Sequence, residues 1–249
     1  MKMVIFTVKS PDNPRNEFAQ RTWLGAEVHI IDCERTTKTG CFYVRDVFDK
    51  ALLILGDAYV FMNSDIALVP EWLDIIAPAV EKFGVAYAHR VDVTKFSKQL
   101  TLKDLAQSKA NLGMDLIAFK PEWWQKYRDE FPDGIIGREG WDFAAVFYAR
   151  KTGFDRIPPI IYHEAHPSFW NRQHNLQGHP DQKEARKTLT EWAHKVGAQK
   201  YLGSNYLFKS IYNQFADVPP YAPMLTNKER KELQSEAIRL ANLKWKRRY

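Results

Sequence analysis

The sequence predicts an α/β protein in which a mostly parallel sheet is flanked by helices, followed by a helical C-terminal region. Three observations lead there. Short apolar runs rich in β-branched and aromatic residues alternate with longer stretches of helical period. Met3–Val8, a helical stretch from Asn16 and Glu27–Ile31 give strand, helix and strand within the first 31 residues, the pattern of a right-handed βαβ unit. The apolar runs also end in polar residues, and in parallel sheets such ends collect on the carboxyl edge, where ligands bind.

The elements follow in order. Met3–Val8 reads as a buried strand, Asn16–Leu24 as a helix and Glu27–Ile31 as a second strand ending at Asp32. Tyr43–Leu55 places Val44, Val47, Phe48, Ala51, Leu52 and Leu55 at helical spacing. Ala58–Met62 is a third strand, and a helix runs from Pro70 to about Phe83. Gly84–His89 and Asp115–Phe119 are further strands, and Pro121 opens a helix as proline does at a first turn. Glu139–Ala149 is a helix apolar on most of its circumference, and Ile157–Tyr162 a short strand interrupted by Pro158-Pro159. The polar stretch His174–Asp181 reads as a loop, and Gln182–Val196 and Asn227–Arg247 as helices. The expected division is residues 1–170 as the α/β unit and 171–249 as a helical region packed on it.

Composition narrows the class. With 45% hydrophobic residues in 249, the chain can bury a substantial core. Met1–Val8 is too short, and too soon interrupted by charge, to act as a signal peptide, and no window reaches membrane length. Cys33 and Cys41 form no disulfide framework. A cytoplasmic protein without a transmembrane segment is expected. The net charge of +6 and the segment Lys244-Trp245-Lys246-Arg247-Arg248-Tyr249 suit a polyanionic partner, DNA among the candidates.

The stretch with most chemical content is Tyr59-Val60-Phe61-Met62-Asn63-Ser64-Asp65-Ile66. Asn63 and Asp65 stand two apart, so an extended backbone points them the same way. A carboxylate at the open end of a buried strand presents oxygen to a divalent cation, although a capping or turn role suits the same residues. Thr7, Asp32, His89, Arg90 and His163 stand at other strand ends. No glycine-rich phosphate loop is present, so a bound diphosphate needs a metal and side chains to offset its charge.

In order along the chain, these motifs resemble those of GT-A fold (Rossmann-like) glycosyltransferases that use nucleotide sugars. Tyr59–Ile66 is similar to the strand and Asp-x-Asp region of that superfamily, with Asn63 in place of the first aspartate. Phe48-Asp49-Lys50-Ala51 resembles a segment reaching toward the donor, and Asn13-Pro14-Arg15 with Arg21-Thr22-Trp23 resembles an early arginine pattern of galactosyltransferase-type members. Gly113-Met114-Asp115-Leu116 is similar to the acceptor-side strand, Gly140-Trp141-Asp142 to the helix start that supplies a general base, and Ile161–His166 to the strand and histidine that complete the metal site.

The resemblance implies a GT-A-like hexosyl- or pentosyltransferase moving sugar from a nucleotide-diphosphate sugar, a UDP-sugar foremost, to an acceptor hydroxyl. It further implies Mg or Mn at Asp65 and His163, with His166 a rival ligand to His163. Thr7, Arg15, Arg21, Asp32, Lys50 and Asn63 would contact the nucleotide sugar, and Asp142 would be the catalytic base. The acceptor is either a glycan or glycoconjugate, or a hydroxylated DNA base flipped from the duplex. The rival reading is a non-catalytic nucleic-acid-binding protein on a nucleotide-binding α/β scaffold.

Overall fold

The first three strands are β1 (Met3–Val8), β2 (Glu27–Ile31) and β3 (Ala58–Met62). β1 pairs in parallel with both others, so the chain steps to one side of β1 and then to the other. That reversal makes the carboxyl ends of β1 and β3 a topological switch point, where open α/β sheets bind ligands. The computed structural model that shows this describes residues 1–9, 14–105, 108, 114–138, 140–154, 157–165 and 180–198.

Helix α1 (Pro14–Arg21) joins β1 to β2 and stops short of the expected Leu24. The Thr22 hydroxyl donates back to the Ala19 carbonyl at 2.6 Å and accepts the Leu68 N–H at 2.8 Å, turning the chain out of the helix. Helix α2 (Val44–Ala51) likewise ends before its apolar period does, leaving Leu53 and Leu55 each 83% exposed. The Tyr59 hydroxyl donates to the Ile54 carbonyl at 2.6 Å beyond that end.

The remaining elements are β4 (Ile66–Leu68), α3 (Trp72–Phe83), β5 (Val85–Val93), α4 (Leu102–Leu105), β6 (Met114–Phe119), α5 (Pro121–Tyr127), α6 (Trp141–Lys151), β7 (Ile161–Glu164) and α7 (Pro180–Lys195). One seven-stranded sheet runs β2-β1-β3-β6-β5-β7-β4. The expected mostly parallel pairing holds for β2/β1, β1/β3 and β5/β7, whereas β3/β6, β6/β5 and β7/β4 are antiparallel. The sheet is therefore mixed. Hydrophobic period marks a strand but carries no direction, and β6 inserts between β3 and β5 against both. A half of parallel strands is thus followed by a mixed half. Strand β4, three residues long, lies outside the sequence expectation, and β7 begins at Ile161 because Pro158-Pro159 cannot donate to a ladder.

The core lies on both faces of the sheet. On one face Phe6, Phe48, Phe61, Phe119, Trp124 and Trp141 form a connected aromatic cluster, with Phe48–Phe119 centroids 5.0 Å apart and Phe61–Trp141 5.3 Å apart. Such pairs contribute about 0.5–1.5 kcal/mol each beyond their buried area. Trp141 thereby anchors the first turn of α6 against β3. Helix α7 joins the same core through Leu189, Trp192 and Ala193, and the Trp192 Nε1–H donates to the Tyr148 hydroxyl at 3.2 Å. Of the C-terminal expectations, the helix from Asn227, the basic terminal segment and residues 174–179 of the polar loop lie outside the described residues.

Candidate functional site

Strand register determines which polar residues meet. Met62 of β3 pairs with Leu116 of β6, so continuing that antiparallel register sets Asn63 opposite Asp115. Asp92 of β5 is the direct partner of His163 of β7 in a parallel pair. Ile66, next to Asp65, pairs with His163. Between β5 and β6 the register jumps: Ala88 pairs with Leu116 but His89 with Met114, leaving Asp115 as an extra residue. A bulge of this kind bends the strand and re-aims the side chain it carries.

These residues form a continuous chain of contacts. The Asn63 amide Nδ2–H donates to Asp115 Oδ1 at 2.8 Å. Arg90 donates from one terminal nitrogen to Asp115 Oδ2 and from Nε to Asp92 Oδ1, both at 2.9 Å. His163 holds its Nδ1 3.2 Å from Asp92 Oδ1 and its Nε2 3.2 Å from Asp65 Oδ2. Three carboxylates thus surround one guanidinium and one imidazole, a setting that favours an additional cation. Of the residues expected in the site, Asn63, Asp65 and His163 converge here, joined by Arg90, a polar strand end, by Asp115 of the motif resembling the acceptor-side strand, and by Asp92, which no motif singles out.

The register of β4 has its own supports. The Trp23 indole N–H donates to the Ile66 carbonyl at 2.7 Å, and Thr22 takes the Leu68 N–H. The Arg21-Thr22-Trp23 motif therefore holds the strand that follows Asp65. Arg21 itself is turned to solvent, 3.5 Å from Glu17.

Asp142 occupies the first turn of α6 and accepts the Gly140 N–H at 3.2 Å. Burial pushes its carboxyl up to about 7. Backbone N–H groups of Gly140 and Phe143 pull the other way, and the negative charge of Asp115 adds to the rise. Asp142 thus stands within electrostatic reach of Asp115, with the proton affinity suited to a base near neutral pH.

The other expected site residues spread along the same sheet edge. Thr7, at the end of β1, is 1% exposed, and its hydroxyl has no hydrogen-bond partner among the described residues. Lys50 donates to the Asp32 carbonyl at 2.6 Å. Beside it, Cys33, Glu34, Arg35, Asp46, Asp49, Lys50 and Leu53 line an open cleft of about 500 Å³. From β2 to β3 is two strand spacings, roughly 10 Å, so Asp32, Thr7 and Asn63 mark a line about as long as a nucleoside. Arg15 sits in the first turn of α1 with its Nε buried and unpartnered among the described residues. Asp49, in the segment expected to reach the donor, instead accepts the Trp124 indole N–H at 2.8 Å and pairs with Arg128 at 2.6 Å, tying α2 to α5. His166 lies outside the described residues.

For a divalent ion, the donor set is partial. Among the described residues, no group of three or more His, Cys, Asp or Glu side chains is placed to hold a metal. Asp65 Oδ2 and His163 Nε2, 3.2 Å apart, have the spacing of adjacent octahedral ligands, roughly 3 Å for bonds of about 2.1 Å. Asp92 on Nδ1 is the outer partner that ligating histidines have. Magnesium-like ions keep few protein ligands and take the rest from water and substrate phosphate. The residues therefore fit such an ion when a diphosphate completes its shell.

No family model and no curated protein matches the sequence. Among solved structures, S. aureus TarS in complex with UDP-GlcNAc is similar at 10% identity, over 87% of this chain and 80% of that one, with a TM-score of 0.42. The mannosyltransferase PcManGT from Pyrobaculum calidifontis, in complex with GDP-Man and Mn2+, is similar at 11% identity over 96% and 80%, with a TM-score of 0.45. A glycosyltransferase involved in glycosylation of the PBCV-1 major capsid is similar at 8% identity over 71% and 100%, with a TM-score of 0.33. Among the described residues, no helix is long and apolar enough to cross a membrane.

Proposed function

We propose that this protein is a metal-assisted glycosyltransferase that moves a sugar from a nucleotide-diphosphate sugar, a UDP-sugar foremost, to an acceptor hydroxyl. The observation that carries the reading is the approach of Asp65 and His163 to 3.2 Å at the carboxyl end of β3, with Asp92 behind the imidazole. A bound Mg or Mn ion would offset the charge that develops on the departing diphosphate. Thr7, Asp32 and Lys50 extend the site toward the nucleoside, and Asn63 presents its amide oxygen because its N–H is engaged by Asp115. Asp142 takes the proton of the acceptor hydroxyl as that oxygen bonds to the anomeric carbon. The bond from that carbon to the diphosphate oxygen breaks on the opposite face, which inverts the configuration.

Thermal shift with UDP and Mn2+ tests the reading. Stabilisation that requires both ligands, and that Asp65→Ala removes, supports it. The absence of a response to every nucleoside diphosphate overturns it and favours the nucleic-acid-binding alternative. Labelled nucleotide hexoses and pentoses, offered with glycans or with hydroxymethylated DNA, then identify donor and acceptor.

A further inference from the structure

We propose that Arg90 is a positioning residue whose guanidinium, by joining Asp115 to Asp92, sets the orientation of both the Asn63 amide and the His163 ring. The inference rests on the glycosyltransferase reading for its consequence in catalysis, but not for its geometry. Asn63, just past β3, and His163 of β7 stand on opposite sides of Arg90 in the chain of contacts, and between those strands in the sheet lie only β6 and β5. Asp115 is delivered to Asn63 by the β6 bulge, and Asp92 to His163 by direct strand pairing. Each aspartate is shared between an outer residue of the site and Arg90: Asp115 gives Oδ1 to Asn63 and Oδ2 to Arg90, while Asp92 Oδ1 meets both His163 and Arg90.

Arg90 suits this because its planar fork can donate in two directions at once, from Nε and from a terminal nitrogen. An ammonium in its place keeps the charge but not the two fixed directions. Arg90 is three-quarters covered, at 25% side-chain exposure, so its pairs are less screened than surface ones. The placement also separates what two carboxylates do: without the guanidinium, Asp115 and Asp92 are released to turn toward Asn63 and His163 in new rotamers. Outer partners of metal-binding histidines change metal affinity or activity by about 10–100-fold when removed.

The test uses the full chain with Arg90→Met, which keeps much of the packing, and Arg90→Lys, which keeps the charge. Side-chain 15N resonances of His163 and Asn63 are recorded without ligand, and Mn2+ affinity in the presence of UDP is measured by calorimetry. The expected result is a shift of both resonances in Arg90→Met, with affinity and kcat each lower by about 10–100-fold while KM for the acceptor holds. Arg90→Lys recovers only part of this. Unmoved resonances in a folded Arg90→Met protein overturn the proposal, and so does full recovery in Arg90→Lys, which reduces the role to charge. If the unaltered protein binds no UDP and Mn2+, the glycosyltransferase reading falls, and the ligand-free resonances still decide the role of Arg90. If Arg90→Met does not fold, the same resonances in Arg90→Lys, where one of the two links is lost, decide it instead: a shift supports the proposal and unmoved resonances overturn it.

Discussion

At the scale of single residues, Asp142 makes the sharpest prediction, because its proton affinity links activity and stability with opposite signs. The folded carboxyl titrates at about 7 against an ordinary value near 3.8, so between those values the folded state binds more protons than the unfolded one. Stability from this group is full below about 3.8 and is lost as pH rises through 7. Activity needs the ionised form and so rises over the same interval to a plateau above 7. Asp142→Asn keeps an oxygen for the Gly140 N–H and removes the titration. The variant is expected to be more stable than the parent at pH 8, by about 4 kcal/mol, and equal to it near pH 4. Its turnover is expected to fall by at least about 100-fold. Urea melts and rate measurements across pH check both, and a stability difference that stays constant with pH contradicts the assignment. The approach of Asp65 to His163 is anticipated in the sequence because one strand end and one late histidine resemble a family's motifs. Arg90 is legible as a polar strand end, but Asp92 is not, and no period shows that the two are joined.

At the scale of elements, the site depends on details that hydrophobic period does not encode. Short apolar runs locate β3, β5 and β6, yet which way β6 runs and where it bulges decide that Asp115 meets Asn63. The Arg21-Thr22-Trp23 motif shows the same limit. Its arginine carries the expectation of a nucleotide-sugar contact, while Thr22 and Trp23 hold β4 in place. Replacing Trp23 with Phe keeps most of the buried ring but removes the donor to the Ile66 carbonyl. The expected cost is about 1–3 kcal/mol for a buried carbonyl left without its partner. A displaced β4 moves Asp65 with it, so the Mn2+-dependent stabilisation by UDP should shrink in Trp23→Phe by more than in a control of equal instability elsewhere. Leu53→Ala, at 83% exposure, should leave stability within about 0.5 kcal/mol and serves to exclude general effects.

At the scale of the whole molecule, α7 packs into the same core as the sheet that carries the site. Its first turn buries Asp181, 1% exposed, which accepts the Thr37 hydroxyl at 2.9 Å and a second bond from Thr39, and its Glu184 accepts the Tyr43 hydroxyl at 2.7 Å. Further along, Leu189 lies against the peptide that starts α6. Gly140 has a φ of +116°, and a β-carbon added there would stand 2.9 Å from Leu189 Cδ2 and 3.0 Å from its Cβ. The backbone N–H that Asp142 accepts therefore sits directly beneath α7, a closeness that only glycine permits. Sequence reading saw Gly140 as part of a helix-start motif and α7 as a separate packed region; neither periodicity nor charge could show that the two touch. Gly140→Ala is expected to cost about 2–4 kcal/mol, combining backbone strain with overpacking. Adding Leu189→Ala removes the Cδ2 and Cγ contacts but leaves the Cβ contact and the positive φ, so it should restore only part of that loss relative to Leu189→Ala alone. Urea unfolding of the four proteins gives the coupling energy, and the pH profile of turnover reports whether Asp142 has moved. A Gly140→Ala protein with unchanged stability and an unchanged profile would show that α7 does not constrain the α6 start as the packing requires. The expected outcome instead ties the helical region to proton transfer at Asp142 through a single glycine.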